Sequence, residues 1–467
     1  MKETTVVVTT LLLYKFVLLG IGWWAKGRNR DEADFFLGGR ALGPWVAAIS
    51  YSSSASSAWT LLGFSGIAYV LGLSSIWIAA GSYSGMLVAW FWIAPRLSRY
   101  SRAHDLITLT DVLAQGSAGR ARHAIVIASA LIVVFSFTFY VAAQFQGAGN
   151  TFASTFGLSM ESSILIGAAI IMVYTILGGF WAVSLTDTLQ GLVMALTAVL
   201  LPLAAIATIG GPAAFIEGLQ AVSGPDQLAL TGRHAGLMAL GFVIGSVGIS
   251  LGTFGQPHLM VRFMALRDDK AMRQGRLITI AWYSLVFGAM YVVGLAGHVL
   301  QASLDNPETI FFSLTTELFP PLIGAIMLAA VLSAIMSTAD SQLLVAASAI
   351  SHDLGAGKGS AQRNLLVSRL TIAGLVVLAV AVALFLPERI FSRVLFAWSA
   401  LGAAFGPVLL FRLAGRQPAP GAVLAAILCG FGLSVLFYLL PNTPGDVLER
   451  VAPFAIACLV LALERAR

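Results

Sequence analysis

Charge is scarce in this chain. Lys, Arg, Asp and Glu together make up 10% of 467 residues, 58% are hydrophobic, and the mean hydropathy is +0.89. Soluble domains carry about 25% charged residues, so a chain wrapped in a water-exposed surface is excluded. Cysteine is nearly absent too: Cys429 and Cys458 both fall in apolar runs, which excludes a disulfide framework. The six His show no ligand spacing such as His-x-x-x-His, and a metal centre built on them is unsupported. A Gly-x-Ser-x-Gly elbow, a phosphate-binding Gly-rich loop and a dinucleotide fingerprint are missing from any fitting context, so enzyme and nucleotide-driven pump lack their parts. An organic cofactor is not expected. Long polar segments are lacking as well, so neither an attached soluble signalling domain nor an obligatory protein partner is indicated.

What is present is apolar length. Runs of about 20 residues, enough to cross a bilayer as a helix, recur from end to end. They predict thirteen spans near 5–25, 42–72, 75–95, 123–152, 162–180, 184–210, 234–255, 275–300, 320–351, 366–386, 390–413, 418–440 and 447–464. The first lacks a small-residue cleavage site, so it reads as a retained helix and not a signal peptide. The net charge of +6 suggests a nucleic-acid partner only until the charges are located. Alternate loops (Lys26 to Arg40, Arg96 to Arg122, Arg262 to Arg276, Lys358 to Arg369, Arg412 and Arg416, and the C-terminus) hold 21 of the 27 Lys and Arg. That asymmetry is the positive-inside bias, predicting an external N-terminus and a cytoplasmic C-terminus, and the lipid bilayer, not nucleic acid, is the partner. Lys15, inside the first span, reads as a side chain snorkelling to the interface.

Two spans break in the middle. The second carries the polar run Ser50-Tyr51-Ser52-Ser53-Ser54-Ala55-Ser56-Ser57-Ala58-Trp59, and the seventh ends in Ile249-Ser250-Leu251-Gly252-Thr253-Phe254-Gly255-Gln256-Pro257-His258. Gly and Pro weaken or end a helix there. The broken spans are five apart, as expected for two five-helix repeats of opposite topology, and paired broken helices at matching positions mark a transporter binding site. The division that follows is 1–40 (first span and cytoplasmic loop), 41–210 (repeat one), 211–233 (external loop), 234–413 (repeat two) and 414–467 (two terminal spans). The loops 96–122 and 211–233 are long enough for short interfacial helices.

Within the ninth span, Ala334-Ile-Met-Ser337-Thr338-Ala-Asp340-Ser341 crowds hydroxyl and carboxylate groups into apolar surroundings. Hydrocarbon cannot solvate them, and oxygen ligands so spaced suit a small hard cation shedding its water. Carbonyls freed around Ser53 and Ser56 in the broken second span, the Ala334 carbonyl and the Ser337 and Thr338 hydroxyls would give five neutral oxygens, a set that suits sodium better than a divalent ion. The ordinary explanation for such residues is close helix packing, with hydroxyls bonding back to the preceding turn. Asp187, in Leu185-Thr186-Asp187-Thr188-Leu189-Gln190, reads either as a cap near a helix start or as a partner of Asp340 and Ser341 across the core. Tyr51, Trp59, Phe137, Tyr140 and Phe254 are aromatic candidates for a solute pocket.

Four motifs resemble the bacterial sodium:solute symporter family, and within it the sodium/proline symporters. They are Phe36-Leu37-Gly38-Gly39-Arg40-Ala41-Leu42-Gly43, Gly178-Gly179-Phe180-Trp181-Ala182-Val183-Ser184-Leu185-Thr186-Asp187-Thr188-Leu189-Gln190, Gly255-Gln256-Pro257-His258 with Arg262-Phe263-Met264-Ala265, and Met336-Ser337-Thr338-Ala339-Asp340-Ser341-Gln342-Leu343-Leu344. The resemblance implies an all-α integral membrane protein of 13 transmembrane helices, with a leucine-transporter-type 5+5 inverted repeat whose first and sixth core helices are broken. It implies import of a small solute (an amino acid such as proline, or a small carboxylate) driven by Na+ across the bacterial inner membrane. By position, the main sodium site would use Ser53, Ser56, Ala334, Ser337 and Thr338. A second sodium would map to Asp187, Ser337, Asp340 and Ser341, and solute contacts to Ser57, Trp59, Tyr140, Ile249, Thr253 and Pro257. Ala55 stands where the proline branch has an acid, and Ile249 and Thr253 where it has aromatics, so the pocket is expected to suit a different small solute. Proton coupling through Asp187 and Asp340, or a sensor derived from the same fold, are the alternative readings.

Overall fold

The computed structural model describes residues 2–25, 37–177, 180–355, 361–386 and 388–464, which are helical with no strand among them. The Gly178-Gly179 turn and the basic residues Lys26, Arg28, Arg30, Lys358, Arg465 and Arg467 lie outside the described residues.

Helix α1 spans Lys2–Ala25. Pro44 opens α2 (Pro44–Ala58) in its first turn, where a missing N–H goes unnoticed. A wide turn over Trp59–Phe64 leads into α3, Ser65–Leu71. At Gly72 (φ +61) the chain reverses, and a Cβ there would come within 2.3 Å of the Gln227 carbonyl oxygen, so the position needs glycine. Then come α4 (Ile76–Val88), α5 (Ala94–Ala103), a short α6 (Leu109–Ala114), α7 (Gly119–Phe156), α8 (Met160–Leu177), α9 (Phe180–Ile209) and α10 (Pro212–Val222). The second half runs through α11 (Gly236–Thr253), α12 (Pro257–Ala265), α13 (Asp269–Leu300), α14 (Ile310–Leu318), α15 (Pro321–Ser348, wound on more widely to Asp353), α16 (Ala361–Phe385) and α17 (Ile390–Leu413). Helices α18 (Pro420–Tyr438) and α19 (Ala452–Leu463) follow.

Among the described residues, nine segments are long and apolar enough to cross a membrane, and one of them, Pro44–Ala103, turns back at Gly72. The apolar parts of α1 and α8 are shorter, Thr5–Leu18 and Met160–Val173. The predicted span 447–464 divides into a single turn, Val447–Arg450, and α19. At 1.5 Å per residue α19 is about 18 Å long, less than the roughly 30 Å hydrocarbon core. Short helices occupy both long loops: α6 in one, α10 with Pro225–Leu228 in the other.

Helix α2 sits at the centre, packed on α9, α13 and α15, and Ala47 through Ala58 are all buried. Lipid tails are as apolar as the core, so small side chains that allow close, hydrogen-bonded packing hold this centre together. The start of α2 is tied to the end of α12: Leu42 N donates to Ala265 O and Arg267 N to Leu42 O, each at 3.0 Å. Two sequence expectations change. Arg262 lies not in a basic loop but in α12, every residue of which is buried. Lys15 does not snorkel outward: α1 packs on α15, and the Lys15 amine reaches the sulfur of buried Met336.

Candidate ion and solute site

Helix α2 breaks at Ser57, whose φ of +43 and ψ of −169 lie in a region that suits glycine and costs other residues about 1–3 kcal/mol. The surroundings impose it. Ala58 N donates to Gln144 Oε1 at 3.0 Å and Trp59 N to Ser57 Oγ at 3.3 Å. The other break, Phe254–Gln256, separates α11 from α12. A Cβ on Gly255 would come within 2.1 Å of the Leu401 carbonyl oxygen, so α17 presses directly on the turn. Gln256 Nε2 donates to the Gly252 and Trp398 carbonyls at 3.1 Å each, and Trp398 Nε1 donates to Ile249 O at 3.1 Å.

Between the breaks, α2 docks on α15 through oxygen atoms. Thr338 Oγ1 donates to Ser54 O at 2.9 Å and to Ala334 O at 3.1 Å, Ser337 Oγ to Ala334 O at 3.3 Å, and Ser54 Oγ to Ser337 O at 2.8 Å. Ser53 Oγ reaches the Ser50 and Asp187 carbonyls at 3.3 Å each, while Ser56 Oγ is buried with no hydrogen-bond partner. Ser53, Ser56, Ala334, Ser337 and Thr338 therefore lie on two helices in direct contact. Ser54 is the α2 residue that bonds α15, and it was not singled out from the serine run.

Asp187 is the eighth residue of α9, two turns past its start, so the capping role is ruled out by position. Its Oδ2 accepts from Ser50 Oγ at 2.7 Å, Ser54 Oγ at 3.3 Å and Arg262 Nη2 at 2.8 Å. The ion pair is fully buried, with side-chain exposures of 1% and 0%. Arg262 Nη2 also lies 2.7 Å from Ser54 Oγ and 2.8 Å from Ser341 Oγ, its Nε donates to Ser50 Oγ at 2.8 Å, and Nη1 donates to the His258 carbonyl. Ser341 Oγ donates to Ser337 O at 2.8 Å and to Asp340 Oδ1 at 3.4 Å, while Asp340 Oδ2 and Asp187 Oδ1 have no hydrogen-bond partner. Of the oxygens expected to share a second sodium, Asp187 Oδ2 and Ser341 Oγ meet at Arg262, Asp340 Oδ1 reaches Ser341 Oγ, and the Ser337 hydroxyl turns back to Ala334.

The solute candidates divide. Tyr140 faces His258 and Trp398, with ring centroids at 6.3 and 6.2 Å, and Trp398 holds the Ile249 carbonyl. Trp59 packs among Phe64, Phe287 and Phe391, with its Nε1 donating to Ala55 O at 3.2 Å. Thr253 Oγ1 lies against α4, 2.7 Å from where a Cβ of Gly85 would stand. Pro257 begins α12 and borders a narrow cavity with Arg262, Ser341 and Thr108. His258, fully buried with both ring nitrogens unpartnered beside Phe137 and Tyr140, is a further polar candidate; its signal was adjacency to the break.

At the far end of that cavity, α6 closes against the end of α15. Thr108 Oγ1 donates to Asp353 Oδ1 at 2.9 Å, and Asp111 takes Arg122 Nη2 at 3.2 Å and His352 Nε2 at 3.5 Å. Ligand atoms of Asp111, His352 and Asp353 lie within 4.8 Å of one another. Burial pushes the Asp111 carboxyl up, but the His352 contact and the Thr108 and Ile107 N–H groups outweigh it and hold the group below its ordinary range. Distance along the chain hid this cluster from sequence reading.

Paired helix breaks around a buried set of oxygens, in a bundle of apolar helices, define a secondary transporter. The chain belongs to the sodium:solute symporter family, whose sequence model matches residues 35–430. It is 34% identical over 97% of its length to the osmoregulated proline transporter OpuE of Bacillus subtilis, 94% of which is covered. It is 35% identical over 90% of its length to sodium/proline symporter 2 of Staphylococcus saprophyticus, 83% of which is covered. In fold it is similar to a Na+-coupled sialic acid symporter solved in a substrate-bound outward-open state, with a TM-score of 0.81, 16% identity and 98% coverage of both chains. It is also similar to the nucleobase-cation-symport-1 transporter Mhp1, with a TM-score of 0.57, 14% identity, and coverage of 93% of this chain and 95% of that one. These are transporters of the leucine-transporter fold.

Proposed function

We propose that this membrane protein imports a small amino acid such as proline, or a small carboxylate, together with sodium. The observation that carries this reading is the docking of the α2 break on α15 through Ser54, Ala334, Ser337 and Thr338. Sodium, as co-transported cargo, is held by the Ser53, Ser56 and Ala334 carbonyls and the Ser337 and Thr338 hydroxyls. An ion there pulls α2 and α15 together, and through that differential affinity it favours the state that accepts solute. The solute then lies between the breaks, against Ser57, Trp59, Tyr140, Ile249, Thr253 and Pro257. Asp187, Ser337, Asp340 and Ser341 form a second sodium site. The named proline transporters among the relatives support the substrate class. The reading includes thirteen crossings of a bacterial plasma membrane, an external N-terminus, two inverted five-helix repeats (41–210 and 234–413), the α1 segment and 414–467 outside them, and no organic cofactor or obligatory protein partner.

The test is uptake into proteoliposomes of labelled L-proline, other small amino acids and small carboxylates, under an inward sodium gradient or an inward proton gradient. We expect accumulation of one solute with sodium only. Equal accumulation in sodium-free medium under the proton gradient would overturn sodium coupling, and sodium-driven uptake of none of these solutes would overturn the substrate class.

A further inference from the structure

We propose that Arg262 is a tethered cation that competes with sodium for the second site. Three oxygens from three helices, Ser54 Oγ of α2, Asp187 Oδ2 of α9 and Ser341 Oγ of α15, lie 2.7, 2.8 and 2.8 Å from the single atom Nη2. A guanidinium nitrogen of this kind has two hydrogens, so three oxygens this close exceed what it can donate to. Convergence on a charge, as in ion coordination, describes the arrangement better than a set of separate hydrogen bonds. The nitrogen stands where a sodium shared by Asp187 and Ser341 would stand, and two positive charges cannot share that point.

A second observation is independent of the first. Asp187 Oδ1 and Asp340 Oδ2 are buried with no hydrogen-bond partner. One guanidinium leaves ligand capacity unused on both carboxylates, which are acceptors only when ionised. Another amine, that of Lys15, goes to Met336, one turn before Asp340 on α15. The oxygen set therefore suits a cation able to accept more than one carboxylate oxygen, and Arg262 fills it only in part.

Arg262 is also placed to leave. It lies on the nine-residue α12 just past the Phe254–Gln256 break, and it borders the narrow cavity shared with Pro257, Ser341 and Thr108. When Arg262 withdraws, the site opens to sodium. When it returns, Asp187 keeps a paired positive charge without an ion, and the empty carrier can change state with that carboxylate compensated. This deepens the sodium-symport reading and rests on it.

The test is thermal unfolding of the purified full chain in detergent against increasing NaCl, with choline chloride holding ionic strength, because a cation bound only by the folded state raises the melting temperature. In Arg262→Gln the vacated site should take sodium: the variant melts lower than wild type in choline, and sodium restores it with a midpoint about tenfold lower than in wild type. The sodium response should also steepen. Arg262→Lys keeps the competing charge and should stay close to wild type. The double variant Arg262→Gln with Asp187→Asn should lose the gained response. A wild-type midpoint in Arg262→Gln, failure to recover that variant even in sodium, or an Arg262→Lys that gains affinity equally would each overturn the proposal. A wild type with no sodium response, beside an Arg262→Gln that responds, would instead overturn the main sodium site and leave the competition standing.

Discussion

Two neighbouring oxygen clusters share Ser54 and Ser337 yet treat charge in opposite ways. In the first, Thr338, Ser337, Ala334 and the Ser54 carbonyl satisfy one another with neutral hydrogen bonds. In the second, about one helical turn further along α15, Ser54 and Ser341 serve an ion pair between Asp187 and Arg262. The neutral set can release a cation and close on itself at little cost. The acidic set cannot, because a bare carboxylate in a dry core is expensive, and so it keeps a cation of its own. On the proposed sodium sites, the neutral set offers binding that weakens readily and the acidic set binding with a built-in replacement.

The largest expected effect comes from breaking the charged cluster on its fixed side. Asp187→Asn leaves Arg262 buried without its counter-ion, a change that costs about 3–5 kcal/mol. Melting of the purified variant should fall in choline and at least as far in sodium, because the carboxylate that would greet sodium has gone. A loss that sodium repairs would show that Asp340 alone can anchor the second ion. Next in size is the neutral cluster. Thr338→Ala removes one hydroxyl from an ion's shell, and a bond to a charged group is worth about 1.5–3 kcal/mol. Sodium activation of uptake should shift by about 10- to 100-fold, with protein level nearly unchanged and Thr338→Ser close to wild type. Unaltered sodium activation in Thr338→Ala would remove the hydroxyl from the site.

The contrast between the clusters also separates what the sequence disclosed from what it withheld. Spans were legible because twenty apolar residues in a row have few other uses, and the breaks were legible because the polar run from Ser50 to Trp59 and Gly255-Gln256-Pro257 interrupt them; that the first falls at Ser57 was not. Ser337, Thr338, Asp340 and Ser341 stood out as polar groups in hydrocarbon, and the structure brings Ser337, Thr338 and Ser341 against Ser54 of α2. Arg262 was hidden by the same reasoning that oriented the chain: an arginine after a break counts as loop charge. Its signal was local, since His258-Leu-Met-Val precedes it and Phe-Met-Ala follows, which is no composition for a loop. Ser50 and Ser54 are one turn apart on a single face, both bonded to Asp187. In a run with serine at nearly every position, periodicity cannot say which face matters. The last predicted span is divided because Glu449 and Arg450 sit in a turn that the hydropathy average smoothed over.

A smaller effect is expected at the break itself. Ser57→Gly moves the φ of +43 into glycine's own range. It gains about 1 kcal/mol of relieved strain, less roughly 0.5–1 kcal/mol for the freer unfolded chain. The melting temperature should hold or rise slightly while uptake falls, because the hydroxyl that meets Trp59 N, and that the proposed solute site includes, is lost. A fall in both would mean that Ser57 is held by bonds stronger than its strain.

The smallest effect tests whether the clusters are insulated from the α6 contact beyond the cavity. Asp111 is held below its ordinary range, so its contribution is complete above pH about 4, the unfolded value, and is lost as pH falls through the lower folded value. Arg122, His352 and Asp353 face it, and Thr108 bonds Asp353 alongside. The Arg122 pair is half exposed on its basic side and so contributes about 0–1 kcal/mol. Asp111→Asn should therefore lower the melting temperature slightly at neutral pH and converge with wild type on acidification. The sodium midpoint should not move in either protein. If it moves in Asp111→Asn at neutral pH, then α6 and the oxygen clusters are coupled through the cavity between Thr108 and Arg262, and the charged cluster does not stand alone.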